Sequence, residues 1–266
     1  MKTDTRLTDS QHFFIHLRFC VKHDILHICR YNQADVQENG TPDNKERMRK
    51  MRVIKPSVEI IDMDDYDKII KKIEKIGRVC YKSEDNIADG TAERFIGNIL
   101  KRGHESVIEH EAITVRFVCD RGVTHEIVRH RIASYSQEST RYCNYTSDKF
   151  GNEITVIDLA GGFNYNLEDP ADKKKYDIWM RSMEESEKAY FEMLEAGATA
   201  QEARSVLPNS LKTEIVITMN LRSWRNFFRL RTEKAAHPQM REVANIALRE
   251  FKEKLPLFFS DIEPYE

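Results

Sequence analysis

The chain of 266 residues sets 42 Lys and Arg against 44 Asp and Glu, a formal charge of −2, so no global positive excess marks it as a coat for nucleic acid. With 40% hydrophobic and 32% charged residues it can build one sizeable core, near the upper size that a single core supports. No run of about 18 apolar residues occurs, and Met1 to Asp9 carries charges without a hydrophobic stretch, which argues against a membrane-spanning helix or a secretory leader and makes the cytoplasm the expected compartment.

In chain order, residues 1–52 read differently from the rest. His12, His16, His23 and His27 sit in a mixed run, and the polar stretch Gln33 to Arg47, with Asn39-Gly40-Thr41-Pro42, carries a linker signal. The expectation is an N-terminal extension, 1–52, ahead of one main domain, 53–266. Val58 to Ile61 reads as a strand. Tyr66 to Tyr81 reads as a helix, with Ile69, Ile70, Ile73 and Ile76 at helical spacing and Asp64 or Asp65 near its cap. Thr91 to Arg102 is a second helix, closed by Gly103. Ile113, Val115, Phe117 and Cys119 alternate with Thr114, Arg116 and Val118, the pattern of a half-buried strand.

A short helix, Val123 to His130, leads into an irregular polar loop, Ser134 to Ser147. Ile154 to Leu159 reads as a strand and Asp172 to Ala196 as the longest helix, stopped by Gly197. Thr199 to Val206 is a helix cut by Pro208, Glu214 to Met219 a strand, and Arg222 to Thr232 and Met240 to Lys254 are helices. Strands and helices interleave without regular βαβ spacing, so the expected class is α+β, a mixed or antiparallel sheet with flanking helices.

The five cysteines, Cys20, Cys29, Cys80, Cys119 and Cys143, form no C-x-x-C pair and are odd in number, which argues against a disulfide framework and a zinc ribbon. No G-x-G-x-x-G or P-loop pattern occurs among the 10 glycines, so any nucleotide must be held by other means. No metal is expected. In His125-Glu126-Ile127-Val128-Arg129-His130 the histidines are five apart and diverge by roughly 140° on a helix, where a zincin pair needs i, i+4. His104-Glu105 and Glu109-His110-Glu111 lack a third convergent ligand.

Charge is local. Arg121, Arg129, Arg131 and Arg141, with His125 and His130, form one basic island; Arg222, Arg225, Arg229, Arg231, Lys234 and Arg241 form another. Arginine dominates both, and its planar fork matches a phosphate or a pyrimidine carbonyl in a fixed orientation. On the second island's helix, Arg222, Arg225 and Arg229 fall along one side, and Arg231 is expected to face inward among Phe227 and Phe228, where a carboxylate or anionic ligand must meet it. Three consecutive residues Arg129, His130 and Arg131 cannot share a helix face and suit a helix end. The hydroxyls of Ser134, Ser136, Ser139 and Thr140 follow, with backbone N–H groups able to form an anion nest beside Arg141. The residues themselves describe a site for a phosphorylated ligand.

This run, Arg129-His130-Arg131-Ile132-Ala133-Ser134-Tyr135-Ser136-Gln137-Glu138-Ser139-Thr140-Arg141, resembles the signature of the flavin-dependent thymidylate synthases, R-H-R-x-x-S-x-N-x-x-S-x-R. Ser136 stands where that family usually has Asn, and Gln137 where Glu is common. Further segments are similar in order and spacing across residues 57–258: Gly103-His104-Glu105-Ser106, Glu109-His110, Ala203-Arg204 with Leu207-Pro208, Asn220-Leu221-Arg222, Asn226-Phe227, Leu230-Arg231 and His237-Pro238-Gln239.

The resemblance implies reductive methylation of dUMP to dTMP. The carbon would come from 5,10-methylenetetrahydrofolate and the hydride from FAD reduced by NADPH, in a homotetramer whose active sites are shared between chains. It implies Arg231 as the catalytic residue, contacting the uracil. It places Glu126, Arg129, Gln137, Glu138, Ser139, Thr140, Arg141 and Arg204 around dUMP. FAD would be held by Ser106, Arg129, His130, Arg131, Gln137, Asn220, Leu221, Arg222, Asn226 and His237, with His104 on the folate side. Cys143 corresponds to no catalytic position and reads as a small, partly buried residue. Two other classes remain on the residues alone: a nucleic-acid-binding protein gripping phosphates with its arginines, and a different flavoenzyme of nucleotide metabolism.

Overall fold

The computed structural model describes residues 51–147 and 150–265. The expected extension lies outside these residues except for its last two: Met51 is buried and Arg52 opens a strand, so both belong to the fold.

The strands are β1 (Arg52–Ile54), β2 (Ser57–Asp62), β3 (Ala112–Asp120), β4 (Ser134–Gln137), β5 (Thr155–Ile157) and β6 (Lys212–Asn220). The main sheet has the order β2-β3-β6-β4 with every pair antiparallel, and β1 and β5 form a separate parallel pair. The helices are α1 (Tyr66–Tyr81), α2 (Thr91–Lys101), α3 (Arg121–Ile127), α4 (Leu159–Phe163) and α5 (Pro170–Glu195), then α6 (Ala200–Ala203), α7 (Leu221–Arg231), α8 (Pro238–Lys254) and α9 (Pro256–Phe259). The α+β class expected from the sequence is the one observed. No helix among the described residues is long and apolar enough to cross a membrane.

Period-two alternation makes the main sheet one-sided. Ile113, Val115 and Phe117 of β3 lie opposite Met219, Ile217 and Ile215 of β6, and all six are buried. On the other face Thr114 and Thr218 share a hydroxyl hydrogen bond of 2.9 Å, and Arg116 pairs with Glu59 and Glu214. Helices α1, α2, α7, α8 and α9 supply the apolar stripes that cover the buried face. Trp224 and Phe227 of α7 and Phe251 of α8 are fully enclosed, each worth roughly 2–3 kcal/mol of burial. A second core joins β1 and β5 to α5 through Val156, Met183, Tyr190 and Phe191.

Three departures from the sequence reading bear on the site and the chain around it. The polar loop after Ser134 begins with a strand, β4. Its four residues hold a single large apolar side chain, Tyr135, so no alternation could reveal it, and main-chain pairing to the free edge of β6 makes the strand. Helix α3 ends at Ile127, because the N–H groups of Arg129 and His130 turn back to the i−3 carbonyls of Glu126 and Ile127. The strand expected to Leu159 stops at Ile157. There the Asp158 carboxylate accepts from the Ala160 N–H at 3.2 Å and starts α4.

Candidate active site

Helix α3 starts where β3 ends, capped by the buried Asp120, whose Oδ1 accepts from the Val123 N–H at 2.7 Å. Its early end turns Arg129 and Arg131 outward and His130 inward, and the exposed Ile132 that follows is left-handed at φ 66. A β-branched residue there costs about 1–3 kcal/mol, strain held at the turn where the basic run ends. Strand β4 then returns along β6, carrying Glu138–Arg141 back to the end of the sheet where α3 began.

The two basic islands meet at the last residue of α7. Arg231 donates from Nε to His130 Nε2 at 2.8 Å, from one terminal nitrogen to Glu126 Oε2 at 2.8 Å, and from the other to the Glu126 carbonyl at 3.1 Å. Burial, then the nearby guanidinium, push His130 down from the ordinary imidazole value to about 4, so the ring is neutral at physiological pH. The carboxylate expected to meet Arg231 is Glu126. The inward orientation expected of Arg231 is corrected, because its side chain keeps 20% exposure.

The buried arginine of α7 is Arg225, 3% exposed, although its spacing puts it along one side with Arg222 and Arg229. It lies under α9 and the 3-10 turn Glu105–His110, donating to Glu105, to both oxygens of Asp261 and to the Phe258 carbonyl. Burial alone would lower Arg225, but the Asp261 and Glu105 carboxylates outweigh it and hold the guanidinium charged. Arg222 and Arg229 are exposed and paired with Glu109 and Glu105.

The residues expected around dUMP differ in what they leave open. Gln137 donates to the Thr124 and Thr213 hydroxyls at 3.1 and 3.4 Å, keeping its amide oxygen available. Glu138 is committed: its carboxylate takes Lys212 at 3.0 Å and the Tyr145 hydroxyl at 3.4 Å, and its N–H bonds the Glu214 carbonyl. The nest expected after it is partly closed, since Tyr142 and Cys143 donate to the Ser139 carbonyl and Arg141 N–H donates to Ser139 Oγ at 3.3 Å. Thr140 is buried. Arg129, Arg131, Arg141 and Arg204 are exposed, and none has a carboxylate partner among the described residues.

The residues expected to hold FAD are spread along α7 and beyond it. His130 and Arg131 lie with Arg129 beside Arg231 and Gln137 lies on β4 against Thr124 of α3; Asn220 and Arg222 stand at the start of α7, Asn226 midway along it, and Ser106 on the Glu105–His110 turn that packs beside it. Asn220 spends its side-chain oxygen capping Ser223 N–H at 2.8 Å, and Leu221 is buried in the core with its N–H on the Glu111 carbonyl, so its side chain faces no open surface. His104 accepts or donates at Nδ1 to the Tyr81 hydroxyl at 2.6 Å. His237 is exposed at the start of α8, edge-on to Phe163 at 5.7 Å.

Sequence reasoning missed Tyr135, Thr124, Thr213 and Lys212, which hold His130, Gln137 and Glu138 in place. Nor could it show that one terminal nitrogen of Arg121 is buried with no hydrogen-bond partner among the described residues. Only the position of Tyr135 inside the basic run could have singled any of them out.

Beside the part-buried Arg231, at the edge of an antiparallel sheet, Arg129 and Arg131 are exposed without a carboxylate partner among the described residues, donors of the kind that a phosphorylated ligand would engage. Residues 60–257 match the family model described as thymidylate synthase complementing protein. The flavin-dependent thymidylate synthase of Pyrococcus furiosus is 34% identical over 184 residues, spanning 69% of this chain and 70% of that one. That of Geobacter sulfurreducens is 33% identical over 194 residues, spanning 70% and 79%. The solved structure of a UMP/dUMP methylase, PolB, from Streptomyces cacaoi with 5-Br dUMP bound is similar in fold, with a TM-score of 0.64 at 23% identity over 79% of this chain and 95% of that one. The chain belongs to the thymidylate synthase complementing protein family.

Proposed function

We propose that the chain methylates dUMP at C5 to give dTMP, taking the carbon from 5,10-methylenetetrahydrofolate and releasing tetrahydrofolate. FAD, when bound, supplies the hydride that NADPH provides. The observation that carries this reading is Arg231, fixed at three points by His130 and Glu126 with one N–H of each terminal nitrogen left over. Facing the uracil, that fork favours the ring without its N3 proton and raises electron density at C5, where the new bond forms. Arg129, Arg141 and Arg204, with Ser139 and Thr140, bind the phosphate and sugar. Gln137 offers its free amide oxygen, and the committed Glu138 serves by holding the loop.

The flavin fits the donors that remain. Arg131 is exposed without an ion-pair partner among the described residues, Asn226 is exposed, and no glycine-rich turn is required. The family resemblance implies that Ser106, Asn220, Arg222 and Asn226, with His130, Arg131 and Gln137, hold a flavin shared between copies of the chain. On the same resemblance the enzyme is a homotetramer with shared sites, in the cytoplasm. His104 stands on the folate side and His237 is a further flavin contact.

The test is product identification with dUMP, NADPH and methylenetetrahydrofolate. A yellow preparation releasing dTMP only when all three are present supports the reading. Flavin without dTMP points to another flavoenzyme, and a colourless protein with steeply salt-dependent DNA binding points to a nucleic-acid-binding protein.

A further inference from the structure

The centre of the basic run does something that its sequence position does not disclose. An arginine Nε–H can only donate, so the 2.8 Å contact requires His130 to present Nε2 as a bare acceptor. The ring is therefore neutral and carries its proton on Nδ1. It is also immobilised: it is 8% exposed, its edge meets Phe227 with centroids 4.9 Å apart, and the Tyr135 hydroxyl donates to the His130 and Ile127 carbonyls. The Glu126 contacts hold the two terminal nitrogens of Arg231, and the His130 contact holds the stem of the guanidinium. Three contacts out of line fix a plane where two leave it free to rock.

We propose that His130 is a positioning residue for Arg231, its Nε2 holding the guanidinium plane so that the two remaining N–H groups meet the substrate together. This rests on the assignment of Arg231 to the uracil. It also restricts what His130 does elsewhere: Nε2 is spent, so Nδ1–H is the one polar ring atom left for any flavin contact. Protonation would turn an acceptor into a donor facing a donor, and burial with the adjacent guanidinium keeps the proton off through the neutral range.

Two substitutions separate positioning from simple packing. In His130→Gln an amide oxygen reaches the place of Nε2 and can accept from Arg231; in His130→Asn it reaches only the place of Nδ1. With flavin content and the KM for dUMP measured in both, Gln should lower kcat about fivefold and Asn about 100-fold, the scale of a guanidinium misplaced by about 1 Å. Equal kcat values in the two variants would overturn the proposal, as would loss of flavin from both. Histidine-selective ¹⁵N NMR of the full wild-type chain needs no variant: a bare Nε2 with a protonated Nδ1 supports the proposal, and the reverse tautomer sinks it. Arg231→Ala keeps the two readings apart. If it retains dTMP synthesis the functional assignment of Arg231 fails; if it loses synthesis while Gln and Asn at position 130 behave alike, that assignment stands and the positioning role falls.

Discussion

Arg225 and Arg231 lie six residues apart on one helix, carry the same charge and occupy opposite states. Arg225 is enclosed, with its fork filled by Asp261 and further contacts to Glu105 and the Phe258 carbonyl. Arg231 is held by a neutral ring and one carboxylate residue, and two of its five N–H donors are left over. With four of its five donors bonded and its side chain enclosed, the first is a structural clamp between α7, α9 and the Glu105–His110 turn. Two open donors on an accessible edge suit the second to the proposed role at the substrate, since donors fixed in place but unfilled are what a developing negative charge needs.

Arg231→Ala should cut kcat for dTMP formation by at least about 10³-fold, roughly 4 kcal/mol of barrier, while flavin content stays near that of the wild type. Turnover within tenfold of the wild type would show that the open donors are idle. Arg225→Ala should instead act on stability, by about 3 kcal/mol in urea melts, the low end for a broken buried pair because Asp261 is 57% exposed and rehydrates. Arg225→Met should lose less, and turnover per folded molecule should change little in either. A large kcat loss at full stability in Arg225→Met would break the contrast.

Two pH effects of opposite sign sharpen it. His130 has its folded pKa lowered from 6.5 to about 4, so the unfolded chain takes up a proton first and stability is lost as pH falls through that window. The melting temperature should therefore drop between pH 6.5 and 4, with a shallower drop in His130→Gln. Glu242 is raised from 4.5 to about 6 by burial, then by Asp158 and Asp120, so its contribution is present below pH 4.5 and lost as pH rises through 6. Glu242→Gln should gain about 1 kcal/mol at pH 7 and nothing at pH 4, read by thermal melts at the two values. The smallest effect is expected from Cys143→Ser, which should keep turnover; its complete loss with flavin still bound would give the thiol a chemical role.

Much of this was legible in the chain. The 16 residues of α1 and the alternation of β3 follow from periodicity, because local spacing reports which side of an element is apolar. The basic run, its place at a helix end and the family segments were equally visible. The strand β4 was not, since pairing to the edge of β6 depends on a partner some eighty residues later in the chain. Nor was the commitment of Glu138, because its partner Lys212 is separated from it by 74 positions.

The sequence by itself therefore determined the class of fold, the two concentrations of arginine and the kinship they signal. It could not decide which arginine of α7 is a clamp and which a site. Spacing along a helix fixes the direction of a side chain but not what covers it. Phe258 and Asp261, 33 and 36 residues beyond Arg225, enclose it, while the end of α3 meets Arg231 from about a hundred residues before. The state of a charged group is set by its neighbours in space, and only the packed chain brings those neighbours together.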